Sequence, residues 1–182
     1  RGGASVSVIR GLGRVERTLF GPVAAKAEIR SLVGDRLAAV DAMFREHIQS
    51  PVSIVDRVGA YVSEGEGKRV RPTLHLLCST LAGYRGPHDV LLGTVLEYIH
   101  TATLIHDDII DEADTRRGRP SVHAAWGNGV TVLFGDWMFA KAMDLALRAE
   151  SLEVMQMLAD VTLRMTEGEI LADRVRGRAR RT

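Results

Sequence analysis

The chain has 182 residues, 46% of them hydrophobic and 26% charged, with a net charge of +1 at neutral pH. That length suits one sizeable domain, and the charge balance gives no general pull toward nucleic acid or an anionic membrane. No apolar run reaches the roughly 20 residues of a membrane-spanning helix. The single cysteine, Cys78, rules out an internal disulfide, which points to a reducing, cytoplasmic setting.

Residues 1–19 open with RGGASVSVIRGLGR, which is basic, Gly-rich and acid-free. A flexible terminal segment is expected there rather than a transit peptide. From Pro22 to His47 apolar residues recur at helical spacing: Ala25, Ile29, Leu32, Val33, Leu37, Val40 and Phe44. Ser50 is the expected N-cap of the next helix, with Pro51 in its first position. EGEGK at 64–68 reads as a break. Pro72 is expected to open a helix through Leu81, with Cys78 as a buried small apolar side chain. A long, mostly apolar helix runs from Pro87 to Ile110, RRGRPSVH forms a loop, and Asn128 caps a helix over 129–148. Ser151 caps the next, from 152 to about Ala172. No strand alternation is sustained enough to build a sheet. Helical segments with short connections predict an all-α bundle.

The segment HDDIIDEADTRRG holds five carboxylates between Asp107 and Asp114, followed at once by Arg116 and Arg117. A helix turns about 100° and rises about 1.5 Å per residue. Asp107 and Asp111 are therefore one turn apart and face the same way. Thr103 lies one turn below Asp107, and His100 two. Like charges at this spacing repel, and divalent cations relieve the repulsion. All-oxygen ligands suit Mg2+, or Mn2+, with substrate phosphates completing the shell. Guanidinium forks at Arg116 and Arg117 suit phosphate oxygens. A solvated surface is the alternative for such an acidic cluster, but the apolar residues before it favour a face turned into a core or cleft. Upstream, GKRVRP places Lys68 and Arg71 three residues apart beside a helix start, a second place for an anion.

GKRVRP, LEYIHTATLIHDDIID and DTRRGRPSVH together resemble the trans-type polyprenyl diphosphate synthases, the polyprenyl synthetase family. GDWMFAKAM and TEGEIL extend the match over residues 20–172. The resemblance implies an isoprenoid-synthase-type all-α bundle, of which this chain is the N-terminal portion only. It implies a Mg2+-dependent prenyltransferase that condenses isopentenyl diphosphate with an allylic diphosphate into a medium- or long-chain polyprenyl diphosphate. Asp107 and Asp111 would hold the cations, with Asp108 a less direct ligand. Arg116 would hold the allylic phosphates. Lys68, Arg71, His100 and Arg117 match the isopentenyl diphosphate contacts. A homodimer is expected of the full-length form, with no nucleic-acid partner and no integral membrane segment.

The chain departs from the family in holding no second Asp-rich motif, and after TEGEIL it reads only ADRVRGRARRT. A truncated chain or disrupted reading frame is expected, incomplete as a catalyst by itself, with residues 173–182 an Arg-rich and non-native tail. The alternative is a non-catalytic helical subunit of a heteromeric prenyl synthase. The family's tail path passes Ala102 and Thr103, and side chains this small leave it open. Ala102→Phe in a full-length enzyme is therefore expected to shorten the product, and product chromatography showing unchanged chain length would refute the assignment.

Overall fold

A computed structural model describes residues 22–65 and 67–179. Its helices are α1 (Pro22–His47), α2 (Ser53–Ser63), α3 (Val70–Leu81), α4 (His88–Ile110), α5 (Val122–Leu147) and α6 (Leu152–Ala179). Between α4 and α5 lies a two-residue antiparallel ribbon of β1 (Thr115–Arg116) and β2 (Arg119–Pro120), with Arg116 opposite Arg119. The expected segment 1–19 and the last residues of the tail lie outside the described residues. Within the tail, α6 continues past residue 172 to Ala179.

The fold is built around α4. Its apolar residues are buried on several sides: Leu91, Val95, Tyr98, Ile99, Ala102 and Ile105 all belong to the main core, with Phe44 of α1, Val58 of α2 and Phe134, Met138, Ala142 and Leu145 of α5. A smaller cluster of Val33, Val40 and Leu76 joins α1 to α3. Polar pins fix the register. The Tyr98 hydroxyl donates to the Phe44 carbonyl at 3.0 Å, with the two rings 4.6 Å apart. Burial pushes the phenol pKa far up, so it stays a donor. Arg36 on α1 bonds Asp89 of α4 at 2.7 Å and Thr80 of α3 at 2.6 Å, tying three helices together. The last helix, α6, packs mainly on α5 and leaves Met157, Val161, Leu163, Ile170 and Leu171 exposed. Among the described residues, no helix is long and apolar enough to cross a membrane.

Several local expectations are corrected. The second helix begins at Ser53, after Val52, not at Pro51. Ser50 instead accepts a bond from the Val52 amide at 3.2 Å, closing a turn just ahead of the helix. The third helix begins at Val70, so Pro72 is its third residue, where a missing N–H costs nothing. The RRGRPSVH loop is a hairpin because Arg117 and Gly118 both take positive φ, 52° and 77°, the pairing a tight two-residue turn requires. The fifth helix begins at Val122 with Ser121 as its cap, accepting from the Ala124 amide at 3.4 Å. Gly127, with φ of 80° and ψ of 161°, divides α5, so its second part starts at Asn128, within a residue of the expected 129, and Gly127 rather than Asn128 precedes it. Cys78 is exposed, not buried, because it falls on the outer face of α3.

The join between α1 and α2 yields a stability test. A Cβ on Gly59 would come within 2.9 Å of the Ile48 carbonyl oxygen, which is backbone and cannot rotate away. Helix propensity alone favours Ala over Gly by about 1 kcal/mol, while overpacking costs about 1–3 kcal/mol. Gly59→Ala is therefore expected to lower the melting temperature, and a melt at or above wild type would show that the two helices part without strain.

Candidate functional site

The C-terminal turns of α4 carry two chemically different groups of side chains. Residues four apart share a face, and His100, Leu104 and Asp108 form one such row along a cavity of 460 Å³. The opposite wall comes from the end of α2 and the hairpin, which contributes Arg116, Arg117 and Arg119. Outside the cavity lining, on the side of the helix that carries His100, stand Asp107 and, one turn on, Asp111, whose amide donates to the Asp107 carbonyl at 2.8 Å. Asp111 caps the helix and is exposed, while Asp107 is half-buried. The one-turn relation expected of these carboxylates is present.

Asp108 and Arg116 behave differently from expectation. The Asp108 side chain is 4% exposed, and Arg116 grips it: Nε donates to both carboxylate oxygens at 2.8 Å, and Nη2 lies 2.7 Å from Oδ1. A carboxylate so buried and paired is a structural anchor. Asp108 is thereby directed at the hairpin. Arg116 stays at the cavity wall, but its Nε is committed to Asp108. That hydrogen bond, against some loss from burial, holds the guanidinium pKa above its ordinary value, and the charges of Asp107 and Asp111 add to it.

Asp107 is held above the usual carboxylate range, first by burial and then by the negative charges of Glu169 and Asp111, with Arg116 opposing. The contribution of Glu169, from α6, escaped the sequence reading, which matched TEGEIL to a family pattern without assigning it a role. Among the described residues, no group of three or more His, Cys, Asp or Glu side chains is close enough to hold a metal ion. Asp107 and Asp111 alone supply two oxygen-donor groups, and their mutual repulsion favours a divalent cation between or beside them. The donor chemistry fits Mg2+, with the rest of its shell to come from elsewhere.

On the cavity face, burial and then the charge of Arg71 hold the His100 imidazole below the usual histidine range, aided by Arg116 and Arg117 and opposed by Glu97. His100 is thus a neutral hydrogen-bond donor among cations at pH 7. Lys68 and Arg71 are exposed and stand outside the cavity wall. The expected chain-length residues do not line it either. Thr103 is half-buried, its hydroxyl donating to the His100 carbonyl at 2.8 Å. Ala102 is 2% exposed in the main core, so a phenylalanine there would overpack helices as well as alter any tail path.

The sequence reading also missed Arg69, between Lys68 and Arg71. It precedes α3 with φ of 48°, and its side chain turns inward, 14% exposed. Nε bonds Asp41 of α1 at 2.6 Å and Nη1 bonds Glu97 of α4 at 2.7 Å, with the guanidinium 5.2 Å from the Phe44 ring centroid. Burial lowers its pKa, but Glu97 and Asp41 outweigh this and the net shift is upward. The signal available in the sequence was only a third cation in GKRVR, not its direction. His106, before the acid pair, is pinned by Nε2 to the Val132 carbonyl at 3.2 Å.

Comparison with known proteins finds that the family model for polyprenyl synthetase matches residues 52–178. Octaprenyl diphosphate synthase of Escherichia coli (strain K12) is 37% identical over 144 residues, 79% of this chain and 45% of that protein. Heptaprenyl diphosphate synthase component 2 of Geobacillus stearothermophilus is 34% identical over 140 residues, 77% of this chain and 44% of that one. Among solved structures, a polyprenyl synthase from Caulobacter crescentus CB15, complexed with calcium and isoprenyl diphosphate, superposes with a TM-score of 0.76 at 34% identity, covering 79% of this chain and 44% of that chain. The chain thus spans less than half the length of these relatives.

Arg69 provides the test of this geometry. Arg69→Met would leave Glu97, 7% exposed, as an uncompensated buried charge, at a cost of about 3–5 kcal/mol. Adding Glu97→Gln is expected to recover part of that loss in denaturant unfolding. If Arg69→Met alone unfolds at the wild-type midpoint, the pair does not anchor the loop.

Proposed function

The chain belongs to the polyprenyl synthetase family, and from that premise we propose that it forms one wall of a prenyltransferase site joining isopentenyl diphosphate to an allylic diphosphate. The observation that carries this reading is the juxtaposition of a cation-lined cavity and an acid pair at one helix end. Hairpin arginines and a neutral histidine line the cavity, where Asp108 and Glu97 are already paired to arginines, and Asp107 and Asp111 stand just outside its lining. One diphosphate is suited to the cavity cations and one to the acid pair. A lone anion site would need no acid pair beside it.

In this reading His100 and Arg117 contact isopentenyl diphosphate in the cavity, with Lys68 and Arg71 closing on it from the rim. Asp107 and Asp111 would hold Mg2+, or Mn2+ with the same donors, and bound there it would neutralise charge on the allylic leaving group. Arg116, fixed by Asp108, offers its remaining N–H groups to the same phosphates. The allylic C–O bond breaks, the double bond of isopentenyl diphosphate attacks the resulting cation, and a proton leaves to the released diphosphate. Apolar walls of α4 and α5 keep water from quenching the cation.

Octaprenyl and heptaprenyl synthases among the relatives support a medium- or long-chain product, with Thr103 and Ala102 on the tail path. The exposed apolar side chains of α6 favour assembly with further protein, a homodimer being the simplest case. A relative named as a component favours a second reading, in which the chain acts as a helical subunit beside a catalytic partner. A cytoplasmic location accords with both.

Imidazole NMR separates this reading from a merely structural charge cluster. Inorganic diphosphate in the cavity would offset the charges of Arg71, Arg116 and Arg117, so the His100 midpoint is expected to rise on its addition. A His100 midpoint unmoved by saturating diphosphate would count against the anion cavity. Asp107→Asn with Asp111→Asn is expected to abolish Mg2+ binding measured by calorimetry while leaving metal-free diphosphate binding intact.

A further inference from the structure

Two segments would have to act together on the cavity anion. One is the loop carrying Lys68 and Arg71, the other the hairpin carrying Arg116 and Arg117. They are far apart in sequence, and the hairpin ribbon is only two residues long per strand. Such a ribbon is not stable by itself, so its position depends on what it is fastened to.

The fastening lies at the end of α2. The Tyr61 hydroxyl donates to the Pro120 carbonyl at 2.7 Å. The Arg119 guanidinium sits 4.1 Å from the centroid of the Tyr61 ring, and its Nη2 lies 3.1 Å from Glu64 Oε2. On its other side, Tyr61 meets Trp126 of α5 edge to face, with centroids 4.9 Å apart. An exposed ion pair alone contributes little. Here it is one of three contacts between the same two segments, and the tyrosine ring is itself held by Trp126. A second meeting point lies at Gly67. A Cβ there would be 3.4 Å from Arg69 Nη1 and 3.5 Å from Arg117 Nη1. At these distances the loop and the hairpin arginine are in van der Waals range of each other.

We propose that Tyr61, Glu64 and Arg119 form a clasp that fastens the Arg116–Arg117 hairpin to the start of the Lys68–Arg71 loop, making Arg119 and Tyr61 positioning residues for the cavity anion. The proposal rests on the reading of the cavity as a diphosphate site. Arg119 lines the same cavity but is occupied by Tyr61 and Glu64. Its role is to hold the hairpin at the distance where Arg117 and Lys68 reach one anion together.

Tyr61→Phe is the decisive variant, because it removes the bond to Pro120 and leaves every charge and the ring in place. Calorimetry with inorganic diphosphate, in the absence of Mg2+, is expected to show affinity weakened about threefold by Tyr61→Phe and about tenfold by Arg119→Ala. In both variants, hydrogen exchange at the amides of residues 115–119 is expected to quicken. Loss of affinity in Arg119→Ala with none in Tyr61→Phe would make Arg119 a direct anion contact and overturn the clasp, as would unchanged exchange in the hairpin. A wild-type chain that binds no diphosphate would instead refute the anion-site reading, and the positioning role would fall with it.

Discussion

The inward turn of Arg69 is the constraint on which the site depends. One guanidinium bonds Asp41 on α1 and Glu97 on α4 and lies over Phe44. These bonds accompany a left-handed backbone before α3, a conformation uncommon for a non-glycine residue. The consequence is directional. With the Arg69 side chain turned inward, its neighbours Lys68 and Arg71 are left exposed. Glu97 thereby joins the loop to the helix that carries His100 and Asp107.

A similar economy governs the other end of α4. Three aspartates lie within five residues, yet they do different things because a helix distributes them around its axis. Asp108 is buried and anchors Arg116, whereas Asp107 stays half-buried beside the charges of Glu169 and Asp111. Acid therefore serves as glue at Asp108 and as concentrated negative charge at Asp107. The arginine that follows is shared: Arg116 neutralises the buried acid and still presents part of its fork to the cavity. Pairing costs Arg116 freedom but fixes its direction, as pre-organised electrostatics requires.

The helices themselves were readable from periodicity. The spans of α1 and α4 follow the expected ones within a residue or so, and the acid pair at Asp107 and Asp111 keeps its one-turn spacing. What could not be read were the starts governed by backbone conformation. The hairpin needs positive φ at Arg117 and Gly118, and a short helical segment from Val122, capped by Ser121, precedes the non-helical Gly127 where the expected helix starts. Neither leaves a mark in hydrophobic spacing. The burial of Cys78 failed for a related reason: an apolar run on a helix still has an outer face.

The amino-acid sequence by itself determined the helical class, the long central helix and the close spacing of acids and bases at its end, because these follow from residue type and a fixed helical repeat. It also carried the family pattern, since motifs are strings. Which charges are drawn into buried ion pairs was settled by the tertiary packing alone. Asp108 and Arg69 look in the sequence like their neighbours, and they differ because each meets an opposite charge from another element, Arg116 of the hairpin for Asp108 and Asp41 and Glu97 for Arg69. Such partners are chosen by how helices pack, and packing brings together residues such as Asp41, Arg69 and Glu97 that no local pattern connects.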